Sequence, residues 1–487
     1  MALPAFAHAA LPKKLAVGVF ADARLQPRWM VEALANVARS ECAEIVALRV
    51  EEVRRAAPAS PRALYGALDR WVFGPDHCEP VDLPRHVPHR DLAQPDLDVA
   101  FAVGEVDDAA LDGIARLGVW RLALDGAGEV ARGEPLTGAA LTVRLAAGHP
   151  SRVAYESWGR TDALSVSRNR RAVVQKAAEI PVRALREAQR SGRGWLEQCR
   201  PASTRPSADA AMVPVLKNLV RHAFDKACAR EQWSLAFRFG AEEPYRRITP
   251  PRGRDWADPC VLAHAGRYWV FFSDGGRIAV LEIAPDGRVS PPRTALERIY
   301  PVSHPFVFED QGRLYMVPES AHNRSVELYR CAEFPLVWRL EKVLLEGVRL
   351  VDATLHRGPE RWWLFANGAA GKSAVFDDEL HLFHAPGLAG DWQPHRRNPL
   401  KSDARSSRPA GRLYWRNGAL VRPAQICVPR RGTGIALHRV LRLTPVDYAE
   451  RQVERVFPLE GSHGTGTMSR AGALTVLDVL TRRLRFA

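Results

Sequence analysis

The chain has 487 residues, of which 46% are hydrophobic and 25% charged, a composition typical of a folded globular protein with two or three domains. It contains no run of about 18 apolar residues, so the sequence predicts no transmembrane helix. The formal net charge of +14 comes mainly from arginines that are dispersed along the chain rather than gathered in one stripe. We therefore expect no nucleic-acid partner; an anionic small substrate accounts for the charge equally well.

The N-terminal part of the chain begins with the pattern of a β-α-β unit. Residues 15–22 form an apolar strand, residues 27–40 have the spacing of an amphipathic helix, and residues 44–50 form a second apolar strand. This order predicts a parallel, doubly wound sheet. The turn after the first strand lacks the G-x-G-x-x-G fingerprint of dinucleotide-binding domains, and we predict no cofactor.

Two further apolar runs extend this predicted sheet, at residues 97–103 and 118–124, with a helix-like pattern over 107–117 between them. We therefore predict a Rossmann-like α/β domain over residues 12–200. Residues 201–232 begin with a stretch rich in Pro, Ser and Thr and continue with a helical pattern, so they are predicted to form a helical linker.

From Trp233 onward the pattern is that of an all-β region built from repeats. The clearest copy is Trp256–Phe272, a short strand, a glycine turn and a second strand of aromatic and β-branched residues. Five such units occur 46 to 58 residues apart, with turns at Gly266, Gly312, Glu360, Gly418 and Gly472. A repeat of this length, each unit a small antiparallel sheet, indicates a propeller blade. Five units predict a five-bladed β-propeller over residues 233–487.

Each repeat also has a polar residue eight to ten positions before its turn. These residues are Asp258, His304, Asp352, Arg408 and His463. Because the innermost strands of a propeller line a central channel, equivalent positions of all blades should converge there. The alternative is that these residues only begin strands or turns, where Asp and His are common.

Three carboxylates are candidates for catalysis: Asp258 and Asp352 at equivalent blade positions, and Glu319 at the end of the second strand of blade two. Glycosidic chemistry requires such a set, in which one group activates the incoming hydroxyl or water and another protonates the leaving oxygen. A third can tune the pKa of the acid. The alternative for Glu319 is an ordinary salt bridge to a nearby arginine.

Arginines accompany the same motifs, namely Arg349, Arg408 and Arg422, and Gln425 ends the second strand of blade four as Glu319 does in blade two. Guanidinium groups bind phosphate or carboxylate with two parallel hydrogen bonds. We therefore predict that Arg408 and Arg422 hold an anionic substrate group, such as a sugar phosphate or uronate, beside the carboxylates. His304, Arg349, Gln425 and His463 are further predicted substrate-binding residues. The alternative is that the arginines only neutralise the carboxylates.

Several of these motifs resemble motifs of known protein families. Trp256–Pro259 and Val351–Ala353 resemble the base and modulator blades of five-bladed glycosidases of the family-43, arabinanase and invertase type. A larger set of segments, in order, is similar to the N-terminal domain of plant glucosamine inositolphosphorylceramide transferases and to bacterial proteins in which a propeller follows a formyltransferase-like domain: 303–309, 317–320, 344–349, 361–365, 378–383, 408–411 and 422–425.

The resemblance implies a carbohydrate-active propeller, with two departures from the families. Family-43 hydrolases have their acid Glu in the third blade, whereas Glu319 lies in the second. The N-terminal domain resembles formyltransferases more weakly, through Asp98–Phe101 and Gly118–Leu122, and it lacks their Asn-x-His signature. We therefore expect this domain to be degenerate and to act as a scaffold or ligand-binding unit.

Three functions follow as alternatives. The leading one is a cytoplasmic, glycosyltransferase-like protein of surface polysaccharide or glycolipid biosynthesis, which would take a carbohydrate, sugar phosphate or sugar nucleotide and contact the glycan-assembly machinery peripherally. The second is a family-43-like glycoside hydrolase, and the third a non-catalytic glycan-binding module. The seven scattered cysteines form no disulfide or zinc pattern, and the N terminus lacks the features of a signal peptide, which favours the cytoplasm. We predict no metal site.

Overall fold

The computed structural model describes residues 13–52, 69–93, 95–124, 133–202, 228–369 and 376–484. The chain divides into two compact units, Met1–Ser157 with Thr161–Val215, and Trp158–Arg160 with Leu216–Ala487. None of the helices in the described ranges is both long and apolar enough to cross a membrane.

The described strands of the N-terminal unit are β1 Leu15–Ala21, β2 Leu25–Pro27, β3 Ala43–Val50, β4 Pro80–Asp82, β5 Val99–Val103, β6 Val119–Leu124, β7 Leu136–Arg144 and β8 Arg152–Arg160. They form a six-stranded sheet with the order β3-β1-β5-β6-β7-β8 and a two-stranded sheet of β2 and β4. The pairs β1–β3, β1–β5 and β5–β6 are parallel, and β7 joins β6 antiparallel. The predicted parallel core is therefore present; the likeness of this unit to formyltransferases stays a prediction.

Among the described residues, the helices of this unit include α1 Arg28–Arg39, α2 Leu83–His86, α3 Val166–Ala177 and α4 Ile180–Gln198. Helix α1 forms where its apolar residues recur at helical spacing, and Met30, Leu34 and Val37 on that face are buried. The predicted helix over 107–117 is wrong: only Asp108–Leu111 is helical, as a single 3-10 turn, and Gly113 follows with φ +79. Most of the predicted linker helix lies outside the described residues.

The second unit consists of five antiparallel sheets, and the predicted five-bladed propeller is confirmed. Blade one comprises β11 Trp256–His264, β12 Arg267–Asp274, β13 Arg277–Ile283 and β14 Arg293–Leu296. Blade two comprises β15 Ser303–Asp310, β16 Arg313–Ser320, β17 Ser325–Glu333 and β18 Val337–Glu346. Blade three comprises β19 Leu350–Arg357, β20 Trp362–Gly368, β21 Glu379–Ala385, β22 Gln393–Pro394 and β23 Lys401–Ser402.

Blade four comprises β24 Tyr414–Arg416, β25 Ala419–Ile426, β26 Gly434–Leu443 and β27 Tyr448–Val456. Blade five is assembled from both ends of the propeller sequence: β28 Met468–Ala471 and β29 Leu474–Leu484 join β9 Ala229–Phe239 and β10 Arg246–Ile248. Strand β29 pairs with β9 along the whole length of both strands. This pairing closes the ring, because it removes the open edge that each strand would otherwise present.

The turns fall where the repeat placed them, between the first two strands of each blade. At Gly266, Gly312 and Gly418 the glycine and the residue before it both have positive φ. Two successive positive φ values define the type I′ turn, whose twist matches that of a β-hairpin. Asn or Gly tolerates this conformation best, which explains why the glycines mark the period in the sequence.

Apolar side chains fill the spaces between neighbouring blades. Phe271 of blade one packs in one cluster with Met316 and Trp338 of blade two, and Phe306 of blade two packs with Leu364 and Trp392 of blade three. The two tryptophans are thus core residues between blades. This packing fixes the angle between blades and hence the positions of residues on the inner strands.

Candidate functional site

The inner strands of blades one to three are each interrupted at the predicted polar residue. Pairing with the second strand shifts register there, and the interrupting residues Asp258, His304 and Asp352 have φ values of +53, +41 and +55. Such β-bulges redirect a side chain out of the regular alternation. Outside a hairpin turn, a left-handed conformation in a residue other than glycine costs about 1–3 kcal/mol, and such strained residues cluster at functional sites. Three equivalent cases in successive blades therefore indicate a site.

The bulged residues and Arg408 form one connected cluster. His304 Nδ1 lies 3.7 Å from Asp258 Oδ1 and 3.5 Å from Asp352 Oδ1. Arg408 Nη2 donates to Asp352 Oδ1 over 3.2 Å, and its Nε donates to Asp352 Oδ2. Four of the five residues predicted to form a ring thus come together from four successive blades. Asp258, with a side-chain exposure of 23%, is the most accessible of them.

His463, the fifth predicted member, does not join this cluster. It is exposed in the connection before β28, where its backbone carbonyl accepts a hydrogen bond from Arg430. The reason is the short inner strand of blade five, which begins only at Met468, so that a residue nine positions before the turn lies outside the strand. Thr467 contributes from this blade instead, with its Oγ1 3.4 Å from Asp258 Oδ1.

A second set of polar residues stands opposite the first, on the second strands. The members are Ser273, Glu319, Asn367, Gln425 and Asp478, six or seven positions after the five turns. Ser273, Glu319 and Asn367 pair with the residues directly before the bulges, and the backbone N–H groups of Gln425 and Asp478 donate to the carbonyls of Arg408 and Thr467. Of this set, only Glu319 and Gln425 are predicted site residues from the sequence. The spacing from the turns was the signal that could have identified the others.

Two members of this second set hold the bulge of the following blade. The Ser273 hydroxyl donates to Asp258 Oδ2 over 2.8 Å and accepts from the backbone N–H of His304 over 2.9 Å. Glu319 Oε2 accepts from the backbone N–H of Asp352 over 3.4 Å. Each contact ties one blade to the next, and it satisfies a backbone donor that the bulge removes from the strand ladder.

Asp478 makes the same connection across the closure of the ring. It is 2% exposed, and its carboxylate accepts from the backbone N–H groups of Gly466, Thr467 and, over 3.2 Å, Asp258. Because Asp478 lies on the closing strand β29, closure of the propeller and the position of Asp258 depend on the same element.

The charges in the cluster give Asp258 and Glu319 very different pKa values. Burial by itself would raise the pKa of Asp258, but its interaction with the His304 imidazolium outweighs burial and lowers the pKa to about 2. Burial would likewise lower the pKa of His304, but Asp352 and Asp258 raise it to about 9. Asp258 is therefore ionised and His304 protonated at neutral pH.

Glu319 behaves in the opposite way. Burial, with the negative charge of Asp352, raises the pKa of Glu319 to about 7. Burial, with the charge of Asp258, also raises the pKa of Asp478 to about 7, against its three backbone donors. A carboxylic acid and a carboxylate can therefore coexist in this cluster near neutral pH, which is the condition for combined acid and base catalysis.

These pKa shifts predict how stability depends on pH. Glu319 and Asp478 have folded-state pKa values raised to about 7 from 4.5 and 3.8, so the stability they contribute is present below their unfolded values and is lost as pH rises through about 7. The contribution of His304 is lost in the same direction, through about pH 9. We expect the thermal unfolding midpoint of Asp478→Asn to fall less than that of wild type between pH 5.5 and 8. Exposed Asp391→Asn is the control and should follow wild type; an unchanged slope in Asp478→Asn would contradict the prediction.

The structure corrects the role predicted for Arg422. This residue is 0% exposed, and its Nε and Nη2 each donate over 2.7 Å to the Glu450 carboxylate. A substrate cannot reach it, so Arg422 does not belong to the candidate site. Side chains alternate faces along a strand, and Arg422 and Gln425 are three positions apart on β25, so they point to opposite faces.

The two remaining predicted substrate-binding residues, Gln425 and Arg349, differ in burial. Gln425 is buried, where its Nε2 donates to the carbonyl of Gly466 and its Oε1 accepts from the Cys427 thiol, so it ties blade four to blade five. Arg349 is exposed, and its guanidinium lies 5.0 Å from the centre of the Phe376 ring. The Phe376 carbonyl accepts from Arg408 Nη1 over 3.0 Å, which places Arg349 beside the cluster.

The cluster contains carboxylates, an imidazolium and a guanidinium whose opposite charges offset one another. Within the described ranges, no three His, Cys, Asp or Glu side chains are arranged to hold a metal ion. The geometry suits proton transfer between a neutral acid and an ionised base, flanked by fixed positive charge.

Comparisons with known proteins agree with the resemblance found in the sequence. Residues 290–473 match the family model of the N-terminal domain of glucosamine inositolphosphorylceramide transferase 1. The transferase of that name from Arabidopsis thaliana is 33% identical over 215 residues, which are 42% of this chain and 28% of the relative. The one from Oryza sativa subsp. japonica is 35% identical over 158 residues, 32% of this chain and 21% of the relative. The chain thus spans less than a third of the length of these relatives.

Solved structures that resemble the chain include a GH43 beta-xylosidase/alpha-arabinofuranosidase from a compost microbial metagenome, 12% identical, with a TM-score of 0.35 over 47% of this chain and 90% of that one. An alpha-L-arabinanase from Cellvibrio cellulosa is 13% identical, with a TM-score of 0.35 over 47% and 91%. The resemblance predicted from the motifs is confirmed at the level of the family model: residues 290–473 of this chain are similar to the N-terminal domain of glucosamine inositolphosphorylceramide transferase 1.

Proposed function

We propose that the protein is a carbohydrate-active enzyme whose site is the cluster of Asp258, His304, Glu319, Asp352 and Arg408. The observation that carries this proposal is the coexistence of a carboxylate of low pKa, Asp258, and a carboxylic acid of raised pKa, Glu319, in one cluster. Glycosyl chemistry needs such a pair, because one group must take a proton from the nucleophile and another must give one to the leaving oxygen.

In this proposal each residue has a distinct task. Glu319 protonates the leaving oxygen, and Asp258 accepts the proton of the incoming hydroxyl or water. Asp352, held by Arg408 and facing His304, keeps the pKa of Glu319 high through its negative charge. Ser273 and Asp478 position Asp258 through hydrogen bonds to its carboxylate and its backbone N–H.

We favour transfer over hydrolysis, with a sugar phosphate or sugar nucleotide as donor and a surface polysaccharide or glycolipid as product. The names of the relatives support this choice, since they are transferases, and the model of their N-terminal domain matches residues 290–473. We also propose a cytoplasmic location, which the seven free cysteines support, and peripheral contact with glycan-assembly machinery.

For the remainder of the chain we propose a degenerate formyltransferase-like scaffold over residues 12–200 and a linker that begins at residue 201 and ends before β9, ahead of the propeller. The parallel order of β3, β1, β5 and β6 supports the first of these assignments.

The test is an assay of purified protein against a panel of sugar nucleotides with glycan and lipid acceptors, and against aryl glycosides. We expect transfer from a sugar nucleotide by wild type and none by the Asp258→Asn, Asp352→Asn double variant. Release of aryl groups without transfer would favour the hydrolase. If wild type turns over no member of either panel while wild type and the double variant bind the same glycans equally, the protein is a binding module and the proposal is wrong.

A further inference from the structure

Arg408 reaches the candidate site from a segment that is not a regular strand. The first strands of blades one to three have nine, eight and eight residues. In blade four, by contrast, β24 covers only Tyr414–Arg416. Arg408 precedes β24, so it lies outside the ladder that pairs this strand with β25. Its backbone must therefore be held by contacts other than that ladder.

One of these contacts comes from a side chain. Backbone N–H groups of β25 and of the residue after it donate to carbonyls on both sides of Ser406, in the pairs Gln425–Arg408 and Cys427–Ala404. The Ser406 carbonyl itself accepts over 2.7 Å from Nη2 of Arg422. Two residues before Arg408, a guanidinium thus supplies the hydrogen bond that a backbone N–H supplies to its neighbours.

Glu450 fixes the guanidinium that makes this contact. Nε and Nη2 of Arg422 each donate to the Glu450 carboxylate over 2.7 Å, and Lys401 and Tyr448 donate to it as well. Arg422 is 0% exposed and Glu450 is 4% exposed. A buried ion pair costs desolvation free energy that an apolar pair of similar volume does not, so stability alone does not explain its presence. A paired arginine, however, can also reach the Ser406 carbonyl.

We infer that Arg422 is a positioning residue of the candidate site, which acts through the Ser406 carbonyl on the segment that carries Arg408. Arg422 touches no substrate, as its complete burial requires. The inference rests on the proposed function, because Arg408 acts there by holding Asp352. It gives Arg422 a different role from the direct substrate contact predicted from the sequence.

The charge of Arg408 connects this segment to the proposed proton donor. Burial and the Asp352 charge raise the pKa of Glu319 to about 7, and the positive charge of Arg408 opposes them. Asp258 and His304, the next charged groups that act on Glu319, lie on blades one and two. If the segment loosens and Arg408 moves away, less positive charge acts on Glu319 and its pKa rises. The protonated form of Glu319 then persists to higher pH.

Arg422→Met tests the inference, because it removes the bond to Ser406 and leaves Glu450 paired with Lys401. We expect the alkaline fall of kcat/KM to move from about pH 7 to higher pH, by about one pH unit. Lys401→Met is the matched control: it takes a positive charge from the same carboxylate but keeps the bond between Arg422 and Ser406, so its fall should stay at about pH 7. If Arg422→Met does not fold, the Arg422→Met, Glu450→Met double variant, which replaces the ion pair by apolar side chains, decides the matter.

A second readout separates this inference from the proposed function. Carboxyl ¹³C NMR of protein with labelled glutamate, with the Glu319 signal assigned by its loss in Glu319→Gln, follows the same pKa without turnover. An unchanged Glu319 pKa in the Arg422 variant, or an equal rise in Lys401→Met, would overturn the inference. If wild type turns over no glycosyl substrate, the proposed function is wrong, and the NMR titration still decides whether Arg422 positions Arg408. Turnover by wild type with an unchanged pKa in the Arg422 variant contradicts only the inference.

Discussion

Glu319→Gln is expected to lower the rate of glycosyl transfer by about 10²- to 10⁴-fold, the usual contribution of a general acid or base. Glutamine keeps the size and hydrogen-bonding shape of the side chain but has no proton to give to the leaving oxygen. The backbone N–H of Asp352 can still donate to the amide oxygen, so the bulge that Glu319 helps to hold should persist. Substrate binding should change much less than turnover, which steady-state kinetics would show as a loss in kcat.

The matched control is Glu309→Gln, in the same blade on strand β15, where the side chain is exposed. It removes the same charge and should leave turnover within about twofold of wild type, because a screened surface charge several residues from the cluster acts weakly. Equal losses in both variants would mean that Glu319 acts only through the overall charge of the blade.

Glu450→Ala is expected to lower the free energy of unfolding by about 3–5 kcal/mol, the cost of breaking a buried ion pair from one side. Glu450 accepts from Arg422 through two hydrogen bonds, from Lys401 over 2.5 Å and from Tyr448 over 2.6 Å. Arg422 is 0% exposed and would remain as a buried cation without a counter-ion. Because Lys401 belongs to blade three and Glu450 to blade four, the loss should also loosen the contact between these blades.

Glu454→Ala provides the comparison on the same strand. Its side chain is 50% exposed and pairs with Arg416, which is 37% exposed. An ion pair of this kind contributes about 0–1 kcal/mol, so the variant should unfold close to wild type in urea. If the two alanine variants have similar midpoints, the buried cluster does not stabilise the propeller as we describe.

The spacing of the turns in the sequence was enough to predict the propeller and four of the five residues expected to converge at its centre. The backbone conformation of a type I′ turn favours glycine, so each such glycine marks the position of a blade in the sequence. Asp258, His304 and Asp352 lie at one distance from those turns because each occupies the same bulge. The same spacing gave the wrong site residue in blade five, because the inner strand there is shorter and Thr467 occupies the equivalent position.

Other features of the site depend on contacts between residues far apart in the chain, which no local sequence pattern reveals. Asp478 acts on Asp258 only because β29 closes the ring beside blade one. Arg422 was assigned to the site by its neighbours in sequence, although the alternation along β25 turns it away from the face of Gln425. Strand alternation could have been applied to this pair beforehand; the closure could not, since it joins residues more than two hundred positions apart.

The pH dependence of kcat/KM tests the central claim most directly, that Glu319 is the proton donor and Asp258 the acceptor. With the pKa of Asp258 at about 2 and that of Glu319 at about 7, the active form has Asp258 ionised and Glu319 protonated. The rate should therefore be constant from mildly acidic pH to about 6 and fall as pH rises through about 7. Asp478 titrates in the same range, so Asp478→Asn must retain this fall, whereas the residual activity of Glu319→Gln must lack it. A wild-type rate that stays constant to pH 9, or the same fall in Glu319→Gln, would contradict the account.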